Sequence, residues 1–141
     1  MYHQVLYSYA GIATQILVKD DDLIILLDVG DGILRDLLGT GVEFPTKVPW
    51  CIFITHGHYD HCGGLFSLLG FFRMLGQTTS VNIYFPHQSL ECRKMIKVFR
   101  ESYTDTTPFS LVIHEIKSDQ LIPINNSVAV KPYPMVHYGS T

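Results

Sequence analysis

Between Thr55 and Gly64 the chain reads THGHYDHCGG, directly after the apolar run Ile52, Phe53 and Ile54. His56, His58, Asp60 and His61 put three imidazoles and a carboxylate into six positions. Neutral imidazoles and carboxylates are borderline ligands that suit zinc, with manganese or iron as alternatives. In an extended segment side chains two apart point the same way, so His56 and His58 can converge on one ion. Asp60 and His61 come two and three residues later, where a turn into a helix near Gly63 would let them reach a second ion. The bland alternative is a set of polar loop residues at a strand end. It suits the isolated His3, His87 and His114, but not four candidate ligands packed this closely.

Such ligands need a scaffold, and the flanking runs supply one. Strand-like runs cover Ile12–Val18 and Leu23–Asp28, joined as a hairpin by the polar cluster Lys19–Asp22. Asp31 is placed to cap a short helix through Leu38, since Ile33, Leu34, Leu37 and Leu38 share one face. The stretch 39–49 reads as loop, with Gly41, Pro45 and Pro49 as breakers. Cys51–Thr55 is almost wholly apolar, as expected of a strand buried on both faces. A helix over 63–76, a buried strand over Val81–Phe85 and a helix from Gln88 to Tyr103 follow. Strands over Ser110–Ile116 and Ser127–Tyr133, separated by the turn-prone Ser118–Asn126, complete the order. Alternating strands and helices make the fold class α/β.

Composition narrows the function. A formal net charge of −3 argues against binding nucleic acid by bulk charge, although a local basic patch is compatible with it. Arg93, Lys94, Lys97 and Arg100 could form such a patch, or only a solvated helix face. Cys51, Cys62 and Cys92 are odd in number and include no CxxC pair, which favours a reduced chain over a disulfide scaffold. The N-terminal MYHQVLYSYAG lacks a basic start and a long apolar core. GLFSLLGFFRMLG is too short to span a bilayer and contains Arg73. A cytoplasmic protein with no membrane partner is the expectation.

The pattern His-x-His-x-Asp-His, in the form THGHYDHCGGL, resembles the signature of the metallo-β-lactamase superfamily. ILLDVGDGILRDLL (Ile25–Leu38) is similar to the Asp-x-Gly segment that precedes this signature, especially in ribonuclease Z-like members. IFITHGHYDHCGGLFSLL (Ile52–Leu69) resembles the same subgroup, and PMVHYGST (Pro134–Thr141) resembles the segment with the next histidine. The resemblance implies the N-terminal half of a four-layer αβ/βα sandwich, with metals at the edge between two sheets. It implies that His56, His58 and His137 bind the first of two zinc ions, and that Asp60 and His61 bind the second. Asp28 would orient a ligand histidine from behind, and Asp60 would orient or deprotonate the attacking water. Cys62 falls at a variable position and reads as small buried filler.

The implied activity is metal-dependent hydrolysis of a phosphodiester in RNA, with precursor tRNA near its 3′ end as substrate. Other hydrolases of the fold are the alternative: a thioesterase, a lactonase or lactamase, or a small cyclic phosphodiesterase. The separation of 81 positions from His56 to His137 disfavours the glyoxalase II type of thioesterase. A non-catalytic assembly module is a third reading. It is favoured by one departure from the family, since the bridging carboxylate and the last histidine of the second site have no counterpart here. A half-domain is also expected to leave an apolar sheet face uncovered, and so to pair with a second copy or with a C-terminal fragment.

Overall fold

The computed structural model describes residues 1–44 and 47–137. Pro45, expected as a loop breaker, and Tyr138–Thr141 of the last family-like segment lie outside the described residues. Six strands form one sheet in chain order: β1 (Tyr2–Tyr9), β2 (Ala13–Asp20), β3 (Leu23–Leu27), β4 (Trp50–Phe53), β5 (Val81–Pro86) and β6 (Leu111–Ile116). The first three run antiparallel through tight turns, and β3 to β6 run parallel. Parallel neighbours need crossovers. These are α1 (Ile33–Gly39), the one-turn α2 (Tyr59–Cys62) with α3 (Leu65–Leu75), and α4 (Leu90–Tyr103).

Side chains alternate across each strand, so the sheet has two interiors. Ile24, Leu26, Trp50, Ile52, Val81, Ile83 and Phe85 pack with Ile33 and Leu37 of α1, Leu65, Leu68, Leu69 and Phe72 of α3, and Ile96 and Phe99 of α4. Leu23, Ile25, Cys51, Phe53 and Tyr84 point the other way. Double-sided burial is why CIFIT carries no polar alternation. It fixes the parallel strand whose C-terminal end delivers the histidines.

The second face departs from expectation. It was expected to lie open, yet Ile122, Ile124, Val128 and Val130 pack on it from the last part of the chain. These come from a two-stranded ribbon, β7 (Ile122–Pro123) with β8 (Ala129–Val130), closed by Ile124 and Asn125 N–H groups donating to the Val128 carbonyl. The strand expected over Ser127–Tyr133 is therefore only two residues long, and part of the expected turn is strand. The helix expected over 63–76 is α3, and a separate turn of helix, α2, precedes it, set off by Gly63 and Gly64. Asp31 does not cap α1. Gly32 takes that place at φ 83°, with no side-chain cap. The Ser89 hydroxyl does cap α4, accepting from the Cys92 N–H. Among the described residues no helix is long and apolar enough to cross a membrane.

Candidate metal centre

The site is built where β3 and β4 end side by side. β3 stops at Leu27 and Asp28 takes a left-handed φ of 60°, a region that aspartate tolerates better than most residues. Its N–H donates to the Phe53 carbonyl at 2.7 Å, and its buried carboxylate turns beneath the loop after β4. There Asp28 Oδ1 accepts the Thr55 N–H at 2.7 Å, and Oδ2 lies 2.9 Å from the Thr55 hydroxyl. His61 Nδ1 sits 2.7 Å from the same Oδ2. A carboxylate only accepts, so His61 carries a proton on Nδ1 and turns Nε2 toward the site. Burial pushes the Asp28 carboxyl above its ordinary range, and the bonds from His61 and Thr55 pull against that rise.

The backbone clamps this loop to the turn after β3. Val29 N–H donates to the His61 carbonyl at 2.8 Å, and Gly64 N–H donates to the Val29 carbonyl at 2.9 Å. The contact is too close for side chains. A β-carbon on Gly30 would lie 2.3 Å from the Asp60 carbonyl, and one on Gly64 would lie 2.3 Å from the Gly30 carbonyl. In α2 the His58 carbonyl accepts the N–H groups of His61 and Cys62 at 2.9 and 3.1 Å. Cys62 is fully buried beneath, its Sγ 3.3 Å from the His58 carbonyl, as expected of filler. Asp60 faces outward from this turn. Its Oδ2 accepts the Gly11 N–H at 3.0 Å and lies 3.5 Å from His61 Nε2. Partial burial acts to raise the Asp60 pKa, but the Gly11 N–H and the His61 ring outweigh it and hold the carboxyl below its ordinary range.

One ligand atom from each of His56, His58 and His137 lies within 4.8 Å of the others. The His56 ring centroid is 4.8 Å from that of His58, 4.4 Å from that of His137 and 4.0 Å from that of His61. Desolvation, helped by the neighbouring rings of His61, His137 and His58, lowers the His56 pKa to about 4. His56 is therefore neutral at pH 7. Its Nε2 is buried with no hydrogen-bond partner, an arrangement that costs about 1–3 kcal/mol unless something meets the lone pair. A divalent cation fits this donor set. Three imidazoles match a tetrahedral site with one position left open.

All six residues singled out from the sequence thus meet at one edge of the sheet. His137 arrives on an exposed segment after β8, far along the chain from its companions. On the candidate phosphate-binding face of α4, Arg93, Lys97 and Arg100 have partners within the protein. Arg93 pairs with Glu115 at 3.0 Å, Lys97 with Glu101 at 3.7 Å, and Arg100 donates to the Leu111 carbonyl at 2.9 Å. Sequence reasoning missed Thr55 and Gly11 as partners of the two aspartates. Thr55 stood inside the quoted motif, whereas Gly11 had no local signal. It also missed a cavity of about 620 Å³ beside His56 and His137, with Lys117 and Tyr133 on its wall.

The model of the metallo-beta-lactamase superfamily matches residues 9–112, a span that contains Asp28 and His56 to His61. Ribonuclease Z of Methanococcus maripaludis is 35% identical over 122 residues, which are 85% of this chain and 38% of that protein. Ribonuclease Z of Bacteroides fragilis is 28% identical over 127 residues, 89% of this chain and 40% of that protein. The solved structure of the short form of human tRNase Z superposes with a TM-score of 0.63 at 25% identity, covering 86% of this chain and 48% of that one. A metallo-beta-lactamase fold protein of Bacillus subtilis shares the fold, with a TM-score of 0.61 at 22% identity. The chain spans about two-fifths of the length of these ribonuclease Z relatives.

Proposed function

Because the chain belongs to the metallo-beta-lactamase superfamily, we propose that its histidine cluster is the zinc-binding part of a ribonuclease Z-like hydrolytic centre. The proposed substrate is a phosphodiester in RNA, with precursor tRNA near its 3′ end as the first candidate. The observation that carries the reading is the meeting of His56, His58 and His137 within 4.8 Å beside Asp60 and His61. In this reading the first three hold one ion, and Asp60 and His61 contribute to a second. When bound, such ions lower the pKa of water and polarise a phosphoryl oxygen.

The chain's own residues do the rest. Asp28 fixes the His61 ring so that Nε2 faces the site. Asp60, held below its ordinary pKa and aimed by the Gly11 N–H, is ionised at neutral pH. A carboxylate held so low is a strong acceptor and a weak base, so Asp60 orients the attacking water better than it deprotonates it. Thr55, Lys117 and Tyr133 line the adjoining cavity, where a substrate flank would lie. We propose turnover for a protein of ribonuclease Z length that contains this chain, and metal capture for the chain itself.

Two measurements test the reading. The 141-residue chain refolded with zinc should hold the metal stoichiometrically, and His58→Ala should lose it. The longer protein should cleave a 3′-extended precursor tRNA and a chromogenic bis-phosphodiester in preference to a thioester or a β-lactam. Equal zinc in wild type and mutant overturns the metal assignment. Turnover of the thioester or lactam alone overturns the substrate.

A further inference from the structure

We infer that Thr55 is a positioning residue that carries the buried Asp28 carboxylate to His56, so that one carboxylate orients rings on both sides of the metal centre. The inference rests on the metal-centre reading above. The Thr55 hydroxyl oxygen lies 2.9 Å from Asp28 Oδ2, 3.1 Å from Oδ1 and 3.0 Å from His56 Nδ1. A hydroxyl donates one hydrogen bond and accepts up to two. It must therefore choose between the carboxylate and the imidazole.

Chemistry makes the choice. A hydrogen bond to an ionised acceptor is about twice as strong as one between neutral groups. The Thr55 O–H therefore goes to Asp28, and its oxygen is left to accept. His56 Nδ1 must then be the donor, which places the ring proton on Nδ1 and the lone pair on Nε2. A second observation agrees. His56 Nε2 is the ring nitrogen that is buried without a hydrogen-bond partner, so the opposite tautomer would bury an N–H with no acceptor. The lone pair is the form that a metal ion requires.

The hydroxyl is not free to drift, because the Thr55 N–H donates to Asp28 Oδ1 at 2.7 Å and ties the residue to its partner. Asp28 takes the Nδ1–H of His61 directly at 2.7 Å. One buried carboxylate thus sets His61 by contact and His56 through the threonine hydroxyl. Serine would keep that relay and valine would keep only its shape.

The test uses the metal-free, 15N-labelled chain of 141 residues at neutral pH. Two-bond 1H–15N correlation spectra should show His56 protonated on Nδ1 in wild type and in Thr55→Ser. In Thr55→Val that preference should be lost. Zinc titration against a chelating dye should then show Thr55→Val weakened on the order of 10–100-fold, with Thr55→Ser close to wild type. His56 protonated on Nε2 in wild type, or Thr55→Val with unchanged tautomer and affinity, overturns the inference. If wild type and His58→Ala bind zinc alike, the metal reading fails, and the metal-free spectra still decide what Thr55 does.

Discussion

The loop after β4 and the tail after β8 bring histidines to the same point by different means. The loop is tied at every level. Its backbone is clamped to the turn after β3, its His61 is bonded to a buried aspartate, and glycines on both sides let the strands of contact meet. The tail has the Pro132 carbonyl accepting from the Asp119 N–H at 2.8 Å. Beyond it, Tyr133, Met135 and Val136 are 67%, 86% and 90% exposed. Of the five candidate ligands, the loop supplies four, His56, His58, Asp60 and His61, and the tail supplies His137. The loop is held by its own hydrogen bonds and close packing, and the tail completes the set from a segment with little packing of its own.

Packing mutations should separate the two regions most sharply. Gly30→Val adds a β-carbon 2.3 Å from the Asp60 carbonyl and 2.7 Å from the Ala13 Cβ, and neither neighbour is the end of a flexible chain. Urea unfolding should show a loss of about 3 kcal/mol, the upper range for overpacking. Val136→Ala in the exposed tail should stay within about 0.5 kcal/mol of wild type. Similar costs at the two positions would break the distinction between framework and tail.

Asp28→Asn should act next most strongly, and on the metal more than on the fold. Asparagine keeps the size but brings an N–H2 group towards donors that wanted an anion. Zinc affinity should fall on the order of 10–100-fold, as changes to groups behind a ligand typically do. Burial raises the Asp28 pKa in the folded chain, so its proton linkage has a definite sign. The folded state binds this proton more readily than the unfolded state, so the contribution is fully present below the unfolded pKa. It is lost as pH rises through the folded value. Asp28→Asn should remove that fall in stability with rising pH. A mutant with wild-type zinc affinity would reduce Asp28 to a turn residue.

How much of this was legible depended on how local each feature was. His56, His58, Asp60 and His61 could be read as ligands because strand and turn geometry alone brings them together. His137 could be placed only through family resemblance, since nothing near it in the sequence says what it will meet. β1 went unread because Tyr2, Val5 and Tyr9 are exposed and its outward and inward residues do not alternate in polarity. The ribbon of β7 and β8 was hidden for another reason. Its Ile122, Ile124 and Val130 pack against Leu23 and Phe53, and such contacts between distant stretches leave no period in the sequence. The break at Gly63 and Gly64 became intelligible only when Gly30 was seen pressed against it.

The smallest effect asks whether the tail is already in place before metal binds. Desolvation is the main reason that His56 titrates at about 4 instead of 6.5, followed by the rings of His61 and then His137. His137→Ala removes a ring that packs on His56 and disfavours its protonation, so the change favours the protonated form. The His56 pKa in the metal-free mutant should therefore move upward, towards its ordinary value, while His61→Ala should move it further. The linkage has a consistent sign. A histidine with a depressed folded pKa loses stability as pH falls from 6.5 to about 4, because the unfolded chain takes the proton first. The metal-free wild type should accordingly lose urea resistance across that window, and His137→Ala should lose less. NMR titration of the His56 ring reads the shift directly. If His56 titrates identically with and without His137, the tail does not stand beside the loop in the metal-free chain, and its approach belongs to the binding step itself.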